Sequence, residues 1–451
     1  MVQKLFTASG VLIALGLILF VHPPEQKETS GTVLELWHTT GADESEFQPA
    51  LWFNESHDEF QVKAVALPFL QIEQKFLTSM VGGIPPDVFI YFGSVAQWSS
   101  RGALLPLDKY MDRDGFDRSK IFDSVWPEMM WNNETFAIPV GVGVDAFYWN
   151  KEHFREAGLD PDRPPQTWEE LEDYAVRLTK KNAEGRIEQA GYIPGYWSPF
   201  ATPLFLYWPL QLGAKFLSED GRKVNLTSNA CVEALEWETS MFEKIGREAL
   251  IEKRASFGYG TQHGFLSGQL SMIEQKSSFV EEIRKFAPDL EYGCAQFPIP
   301  EGGKRATTLG PVWVGIPRGA RHPDEAWEFI KFFTSDETQL RATKYSIEHN
   351  EVGFFPANID VARSPIQMTV PCMDIFLESM DNAYSPTVVP LAHVTFWREY
   401  GKAWDLAIRG IKSPREALED AQREIQKALD SQIEYDRFYR NYLTERQEGR
   451  G

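Results

Sequence analysis

The chain has 451 residues and a formal net charge of -20 at pH 7, from 65 acidic and 45 basic side chains. A chain of this length rarely folds around one hydrophobic core, so two lobes or domains are expected. Because nucleic-acid binding needs a basic face that neutralises phosphates, the acidic balance predicts no nucleic-acid partner and disfavours an anionic membrane surface.

The first 30 residues differ from the rest of the chain. Lys4 precedes an apolar run from Leu5 to Val21, and the polar segment "HPPEQKETSG" follows it. This layout is typical of a secretory signal peptide or, at the lower limit of a membrane-spanning length, of an uncleaved membrane anchor. We therefore expect the mature chain outside the cytoplasm, periplasmic or at the cell surface, either free or tethered by residues 1–30.

The chain encodes no recognisable metal, cofactor or catalytic motif. Its three cysteines, Cys231, Cys294 and Cys372, form no C-x-x-C pair, and we expect three buried thiols, with one disulfide as the alternative. The eight histidines are scattered, and no nucleophile elbow, zinc-binding helix or P-loop occurs. No cofactor and no metal are predicted.

Beyond residue 31, short β-rich runs alternate with helical ones, which predicts an α/β protein. The strand signals come first in "TVLELWH" (32–38), then in "QVKAVAL" (61–67) and "PPDVFIYF" (85–92). Between the second and third, "LQIEQKFLTSMVGG" (70–83) has apolar residues at helical spacing and ends on a glycine pair suited to a C-cap. Capping boxes predict two further helices, which begin after Thr167 and Ser413.

The stretch "VGVGVDAFYWNK" (140–151) contains two alternating glycines, Gly141 and Gly143. A phosphate-cradling glycine loop should open a helix, whereas these glycines lead into an aromatic strand. They suit a crossing strand that twists and lets a ligand approach its backbone. We expect the carboxylate of Asp145 at the resulting cleft.

Aromatic residues make up 13% of the chain, including 14 tryptophans. A sugar presents apolar C–H faces and a girdle of hydroxyls, so its sites combine flat aromatic surfaces with polar partners. Trp197 and Trp313, flanked by Gly, Pro and Ser, are the strongest pocket candidates. The tryptophans on amphipathic helices are assigned to packing: Trp168, Trp237, Trp327 and Trp404.

Read in order, the motifs resemble those of the extracellular solute-binding proteins of carbohydrate ABC importers. The resemblance begins with "LELWHTTG" and "GGIPPDVFIYFGSVAQWSSRGALLPLDKYM", and its most specific block is "AIPVGVGVDAFYWNKEHFREAGLDPDRPPQTWEELEDYAVRLT". It continues through "FLSGQLSMI", "KRATTLGPVWVGIPRGARHPDEAWEFIKFFTS" and "IKSPREALEDAQREIQKALD", and so covers roughly residues 33 to 430.

The resemblance implies an α/β, two-lobed fold of the periplasmic-binding-protein type, with discontinuous lobes joined by crossing hinge segments. Lobe I would comprise residues 33–142 and 309–360. Lobe II would comprise 143–308 and 361–445, and 446–451 would form a polar tail.

The same resemblance, carried over position by position, implies a set of ligand-binding residues in the cleft. These are Trp37, His38, Tyr91, Phe92, Gly93, Ser94, Asp145, Tyr196, Trp197, Glu274, Ser277, Ser278, Trp313, Phe354 and Phe355. Two places depart from the family pattern. Many relatives have Gly and Trp directly after the strand that ends in "SMI", where this chain has "EQKSSF". The segment by which the chain crosses back to the first lobe is glycine-rich in many relatives, whereas here it carries Pro311 and Trp313.

The function so implied is reversible capture of a neutral sugar by a monomeric binding protein that then docks on an ABC permease. One alternative within the family is a glycerol phosphodiester or sugar phosphate, for which Arg101 and Arg398 are the candidate anion ligands. Outside the family, a secreted glycan-cleaving enzyme has the same composition. A sensor subunit that signals rather than transports is the third alternative.

Overall fold

The computed structural model describes residues 31–40, 47–196, 206–349 and 353–448. The N-terminal segment 1–30, Trp197 and the last three residues lie outside them. Within these ranges, no helix is both long enough and apolar enough to cross a membrane.

The predicted strands form, and they belong to one large sheet. The strands are β1 (Thr32–Thr40), β2 (Phe60–Pro68), β3 (Val88–Tyr91), β4 (Met130–Trp131), β5 (Glu134–Thr135), β6 (Ile138–Asn150), β7 (Lys180–Lys181), β8 (Ile187–Tyr192), β9 (Leu270–Lys276), β10 (Tyr292–Ala295), β11 (Thr307–Gly315), β12 (Phe355–Pro356) and β13 (Ala383–Tyr384). Eleven of these described strands form the sheet, while β4 and β5 pair separately.

In the part of the chain that the structure describes, helices pack around the sheet. They are α1 (Gln48–Ser56), α2 (Phe69–Gly82), α3 (Val95–Ser99), α4 (Asp108–Asp114), α5 (Trp126–Met129), α6 (Lys151–Glu156), α7 (Trp168–Arg177), α8 (Tyr207–Gln211), α9 (Asn229–Ile245), α10 (Arg247–Ala255), α11 (Phe279–Phe286), α12 (Pro323–Thr334), α13 (Asp336–His349), α14 (Ile359–Ala362), α15 (Met373–Ser379), α16 (His393–Ile408) and α17 (Pro414–Glu448).

The sheet order is β2-β1-β3-β11-β6-β9-β8-β7. The strands β1, β2 and β3 run parallel, and the long strands β6 and β11 lie antiparallel in the middle of the order. The first half of β6 pairs with β11 as far as Val144, opposite Leu309, and from Asp145 onward it pairs with β9, beginning at Lys276. One strand thus connects two halves of the sheet, as a crossing segment should. The exact lobe boundaries stay a prediction.

Local sequence signals explain where the predicted helices begin and end. Thr167 caps α7 by accepting a hydrogen bond from the Glu170 backbone N–H at 3.2 Å. Ser413 and Glu416 form a reciprocal capping box, with bonds of 3.3 and 3.1 Å, at the start of α17. The C-cap Gly83 of α2 is left-handed, with φ of 68°.

The expectation of three buried thiols is wrong. Cys294 on β10 and Cys372, the residue before α15, form a disulfide that spans 78 positions of sequence. Cys231 on α9 is the free, buried thiol. Because disulfides persist in oxidising compartments, the bridge agrees with a chain that is exported from the cytoplasm.

A buried carboxylate joins the C-terminal part of the chain to the first half. Glu128, on α5, accepts hydrogen bonds from the hydroxyl of Ser385 and from the backbone N–H and hydroxyl of Thr387, the last two at 3.1 and 2.8 Å. Burial raises the pKa of Glu128 above its usual range. The segment that leads into α16 is thereby fixed near α3 and α5.

Candidate functional site

Ligands of open α/β sheets bind in the crevice outside the carboxyl ends of the strands. Here that crevice is bordered by the ends of β1 and β3 and by the crossing strands β6 and β11. The candidate site residues are therefore those that follow β3, those on the crossing strands and those at and after the end of β9.

Trp37 and His38, near the end of β1, are both buried and held by neighbours. The Trp37 indole N–H donates to Glu35 Oε1 at 2.6 Å, and the Lys75 ammonium lies 5.3 Å from its ring centroid. The His38 ring packs against Phe47 at 5.6 Å, and burial lowers its pKa. Both rings support the end of β1, and neither presents a free face in this arrangement.

The segment from Tyr91 to Ser94 turns from β3 into α3. The Tyr91 hydroxyl donates to Glu73 at 2.8 Å, and the Ser94 hydroxyl caps α3 by accepting from the Gln97 N–H at 3.3 Å. Gly93 is required because a Cβ there would come 2.5 Å from the Tyr91 ring. Phe92 is the exposed member, at 38% of its surface, and its ring stacks on that of Tyr91 with the centroids 5.3 Å apart.

The two glycines of β6 make room for Phe354. A Cβ on Gly141 would lie 3.1 Å from Phe354 Cβ, and a Cβ on Gly143 would lie 3.2 Å from the Phe354 ring and 3.3 Å from the Ser277 hydroxyl. The half-buried phenyl ring therefore rests directly on the backbone of the crossing strand. This close approach supplies a physical reason for the glycine alternation.

Asp145 lies on the same face of β6 as Gly143, two residues further along. Its Oδ1 accepts from the Lys276 ammonium at 2.8 Å, and its Oδ2 accepts from the Thr308 hydroxyl. The pair is mostly buried, with 13% of the Asp145 side chain and 22% of the Lys276 side chain exposed. The carboxylate thus links β6 to both β9 and β11, where the crossing strands meet.

The remaining residues near this crossing have structural partners. The Ser277 hydroxyl accepts from the Val144 N–H at 3.3 Å, and Ser278 precedes the first turn of α11. Phe355, on β12, pairs with Val142 and is buried. Of these, the Ser277 hydroxyl is the polar group beside Gly143.

Glu274 is buried beneath the candidate crevice, with 1% of its surface exposed. Its Oε1 accepts from the Tyr192 hydroxyl, while its Oε2 has no hydrogen-bond partner in the part of the chain that the structure describes. Burial, with Glu238 nearby, raises the pKa of Glu274 to about 8. Glu274 is thus closed off from solvent in this arrangement, and its contact with a sugar hydroxyl stays a prediction.

Two aromatic residues expected at the ligand platform pack in the interior instead. Trp313 is fully buried against Phe89 and Tyr91, and its indole N–H donates to the Gly93 carbonyl at 2.7 Å. Tyr196 is fully buried beside Phe257, and burial raises its pKa to about 12. Trp313 thus positions the loop after β3, and the role of Trp197 stays a prediction because it lies outside the described residues.

The helical tryptophans do pack as expected. Trp168, Trp327 and Trp404 are buried, and Trp237 stacks on Trp168 at 4.1 Å.

The sequence interpretation missed Lys276. The segment "EQKSSF" supplies Glu274, Ser277 and Ser278 to the expected site, and the lysine between them, at the end of an apolar strand, is itself a signal. The proposed anion ligands are separate: Arg398 bonds to Glu399, while Arg101 lines a different cleft. Among the described residues, no three His, Cys, Asp or Glu side chains gather into a metal site.

The fold, with the strands β6 and β11 crossing between the two halves of the sheet, defines a class of protein: a two-lobed α/β binding protein hinged by strands. The model of the family described as bacterial extracellular solute-binding protein matches residues 37–340, more than half of the chain. The chain belongs to this family, and membership places the mature protein outside the cytoplasm.

Individual relatives agree with this assignment. A putative binding protein of Brucella abortus is 24% identical over 424 residues, which cover 92% of this chain and 96% of the relative. The sn-glycerol-3-phosphate-binding periplasmic protein UgpB of Brucella melitensis is 24% identical over 384 residues, 80% of this chain and 81% of that protein. The solved structure of CpMnBP1 with mannobiose bound matches with a TM-score of 0.72 and 25% identity, covering 88% of this chain and all of that chain. The two-lobed fold class is thereby confirmed.

Proposed function

We propose that the protein is the substrate-binding component of an ABC sugar importer, which captures a neutral mono- or oligosaccharide between its lobes and delivers it to a membrane permease. The observation that carries the proposal is the aromatic ring of Phe354 on the glycine backbone of β6, beside the Asp145–Lys276 pair and the Ser277 hydroxyl. An aromatic face next to charged and hydroxyl hydrogen-bonding groups suits a sugar ring.

The similarity to a mannobiose-bound protein supports this class of ligand. Phe92 adds a second exposed aromatic face at the end of β3. Ligand would act by favouring the closed arrangement of the lobes, which the permease then recognises.

The test is calorimetric titration with mannobiose, maltose and glucose, together with native mass spectrometry for a copurifying sugar. Phe354→Ala should weaken binding of the best sugar by at least about tenfold, because an aromatic contact and its buried area are lost. Phe286→Ala removes an exposed ring on α11 and serves as the matched control, with affinity expected within about twofold. Absence of binding to any sugar in a wider panel would refute the neutral-sugar proposal.

A glycerol phosphodiester or sugar phosphate is the second candidate, and the similarity to UgpB favours it. The Lys276 ammonium at the end of β9, beside the crossing strand β6, would be its natural electrostatic partner. Glycerophosphocholine or glycerol 3-phosphate binding more tightly than every neutral sugar, with an affinity that falls with salt, would select this candidate.

A glycan-cleaving activity is separated from binding by a product assay. Prolonged incubation of the protein with mannobiose and maltose should release no monosaccharide. Turnover would overturn the binding proposal.

A further inference from the structure

A second cleft lies where α3 faces the beginning of α16. One wall is Gln97, Ser100 and Arg101, and the other is the segment 390–395 with two side chains of α17. None of these residues belongs to the group around Phe354 and Asp145. No aspartate or glutamate is among the described residues that line it, although the chain has 65 acidic residues.

The start of α16 supplies hydrogen-bond donors to this cleft. The helix runs for 16 residues, its N-cap Ala392 provides no side-chain cap, and its first turn contains no acidic residue. The backbone N–H groups of a first turn have no partner within the helix, and the helix dipole places positive charge there. An uncapped helix N-terminus of this length favours an anion.

Gln97 is the independent observation that points to a ligand. Only 8% of Gln97 is exposed, and it lines the cleft. The bonds that the structure gives it use its backbone: its N–H donates to Ser94, and its carbonyl accepts from Ser100 at 3.4 Å. The structure gives its side-chain amide no hydrogen-bond partner in the described ranges, so this amide on the cleft wall is available to a ligand.

Arg101 supplies the positive charge. No carboxylate of the described residues lies within ion-pair distance of its guanidinium, whereas Arg118 pairs with Asp108 and Arg409 with Asp405. His393, also on the cleft wall, stays uncharged at neutral pH because burial lowers its pKa to about 4. The charge in the cleft is thus a single unpaired guanidinium.

We propose that this cleft binds a small oxyanion, a phosphate, a sulfate or a terminal phosphomonoester, through the first turn of α16, the Gln97 amide and the Arg101 guanidinium. This site goes beyond the sugar-binding function and shares no residue with the crossing-strand group. Because its walls come from α3 and α16, a bound oxyanion bridges these two helices and stabilises their contact.

The test is titration of the full chain with sodium phosphate and sodium sulfate by calorimetry, with sodium chloride at equal ionic strength as the reference. The protein should bind phosphate saturably. Arg101→Gln and Gln97→Met should each weaken phosphate binding by about tenfold or more, since a charge-assisted or buried hydrogen bond is lost. Arg415→Gln, which changes an exposed arginine on α17, should leave binding unchanged.

Two results would overturn the proposal: no saturable phosphate or sulfate binding beyond the chloride reference, or equal binding by the Arg101→Gln variant. Circular dichroism melts confirm that each variant is folded. The Phe354→Ala variant distinguishes failure of this proposal from failure of the sugar proposal. It should weaken mannobiose binding and leave phosphate binding unchanged.

Glycerol 3-phosphate distinguishes the sources of the anion. If the site takes a free anion, glycerol 3-phosphate and inorganic phosphate bind with similar affinity, and mannobiose still binds when phosphate is saturating. If the site holds the phosphate group of a larger ligand, glycerol 3-phosphate binds at least about tenfold more tightly than phosphate and loses that advantage in Arg101→Gln. Both results support the site, and each assigns a different occupant.

Discussion

The phenyl ring of Phe354 lies against the backbone of Gly143, so close that a Cβ on the glycine would be 3.2 Å from the ring. Side-chain contacts this short require the ring to move. The Phe354 ring can therefore pack directly on the backbone of the crossing strand because the glycines of that strand have no side chains.

Gly143→Val should displace Phe354 and weaken binding of mannobiose by at least about tenfold, with a stability loss of about 1–3 kcal/mol from overpacking. Urea unfolding and calorimetry measure the two effects. Gly310→Ala is the matched control on the neighbouring strand, since its Cβ would lie an ordinary 3.6 Å from Lys276. Unchanged mannobiose affinity in Gly143→Val would show that the ring does not contact the ligand.

Asp145→Asn should lower the free energy of unfolding by about 1–3 kcal/mol, because it removes the charged partner of a mostly buried ammonium. The pair with Lys276 is 2.8 Å long and links the crossing strand β6 to β9. A double-mutant cycle with Lys276→Met in urea measures the coupling, expected to be at least about 1 kcal/mol. Additive losses would mean that the two side chains stabilise the fold separately.

The same cycle, read by calorimetry with mannobiose, tests how Asp145 acts on the ligand. If the carboxylate positions Lys276, the affinity losses of the two variants are not additive. If Asp145 binds a sugar hydroxyl directly, its loss persists in the Lys276→Met background.

Reduction of Cys294–Cys372 should destabilise the protein by about 2–4 kcal/mol, because the bridge closes a loop that spans 78 positions of sequence. Thermal melts with and without tris(2-carboxyethyl)phosphine measure the effect. Cys372→Ser should melt like the reduced protein and no longer respond to reductant, whereas Cys231→Ala should respond as the wild type does. An identical melting temperature with and without reductant would contradict a stabilising role.

Much of the fold could be predicted because its signals are local. Strands such as β1 and β2 alternate in polarity, and the capping boxes at Thr167 and Ser413 need only residues three apart. The crossing strand was recognisable because Gly141 and Gly143 lead into a strand rather than a helix. None of these inferences depends on distant parts of the chain.

The candidate site was harder to predict because it depends on register and on contacts between distant residues. Trp313 and Phe354 both sit near turn residues in the sequence, but a register shift between Val312 and Trp313 accompanies the inward position of the indole. The Cys294–Cys372 bridge and the Asp145–Lys276 pair join residues 78 and 131 positions apart. No spacing rule for neighbouring residues could have revealed them.

Glu274→Gln should change how stability depends on pH. Burial raises the pKa of Glu274 from 4.5 to about 8, so the folded state favours the protonated carboxyl. The stabilisation is complete below pH 4.5, where the unfolded chain is also protonated, and it is lost as pH rises through about 8. Glutamine cannot ionise, so this variant should match the wild type near pH 4.5 and become the more stable protein, by at least about 1 kcal/mol, above pH 8. Urea unfolding at four pH values between 4.5 and 9 measures the difference, with Glu419→Gln on α17 as an exposed control. Parallel curves for Glu274→Gln and the wild type would show that folding does not raise the pKa of Glu274.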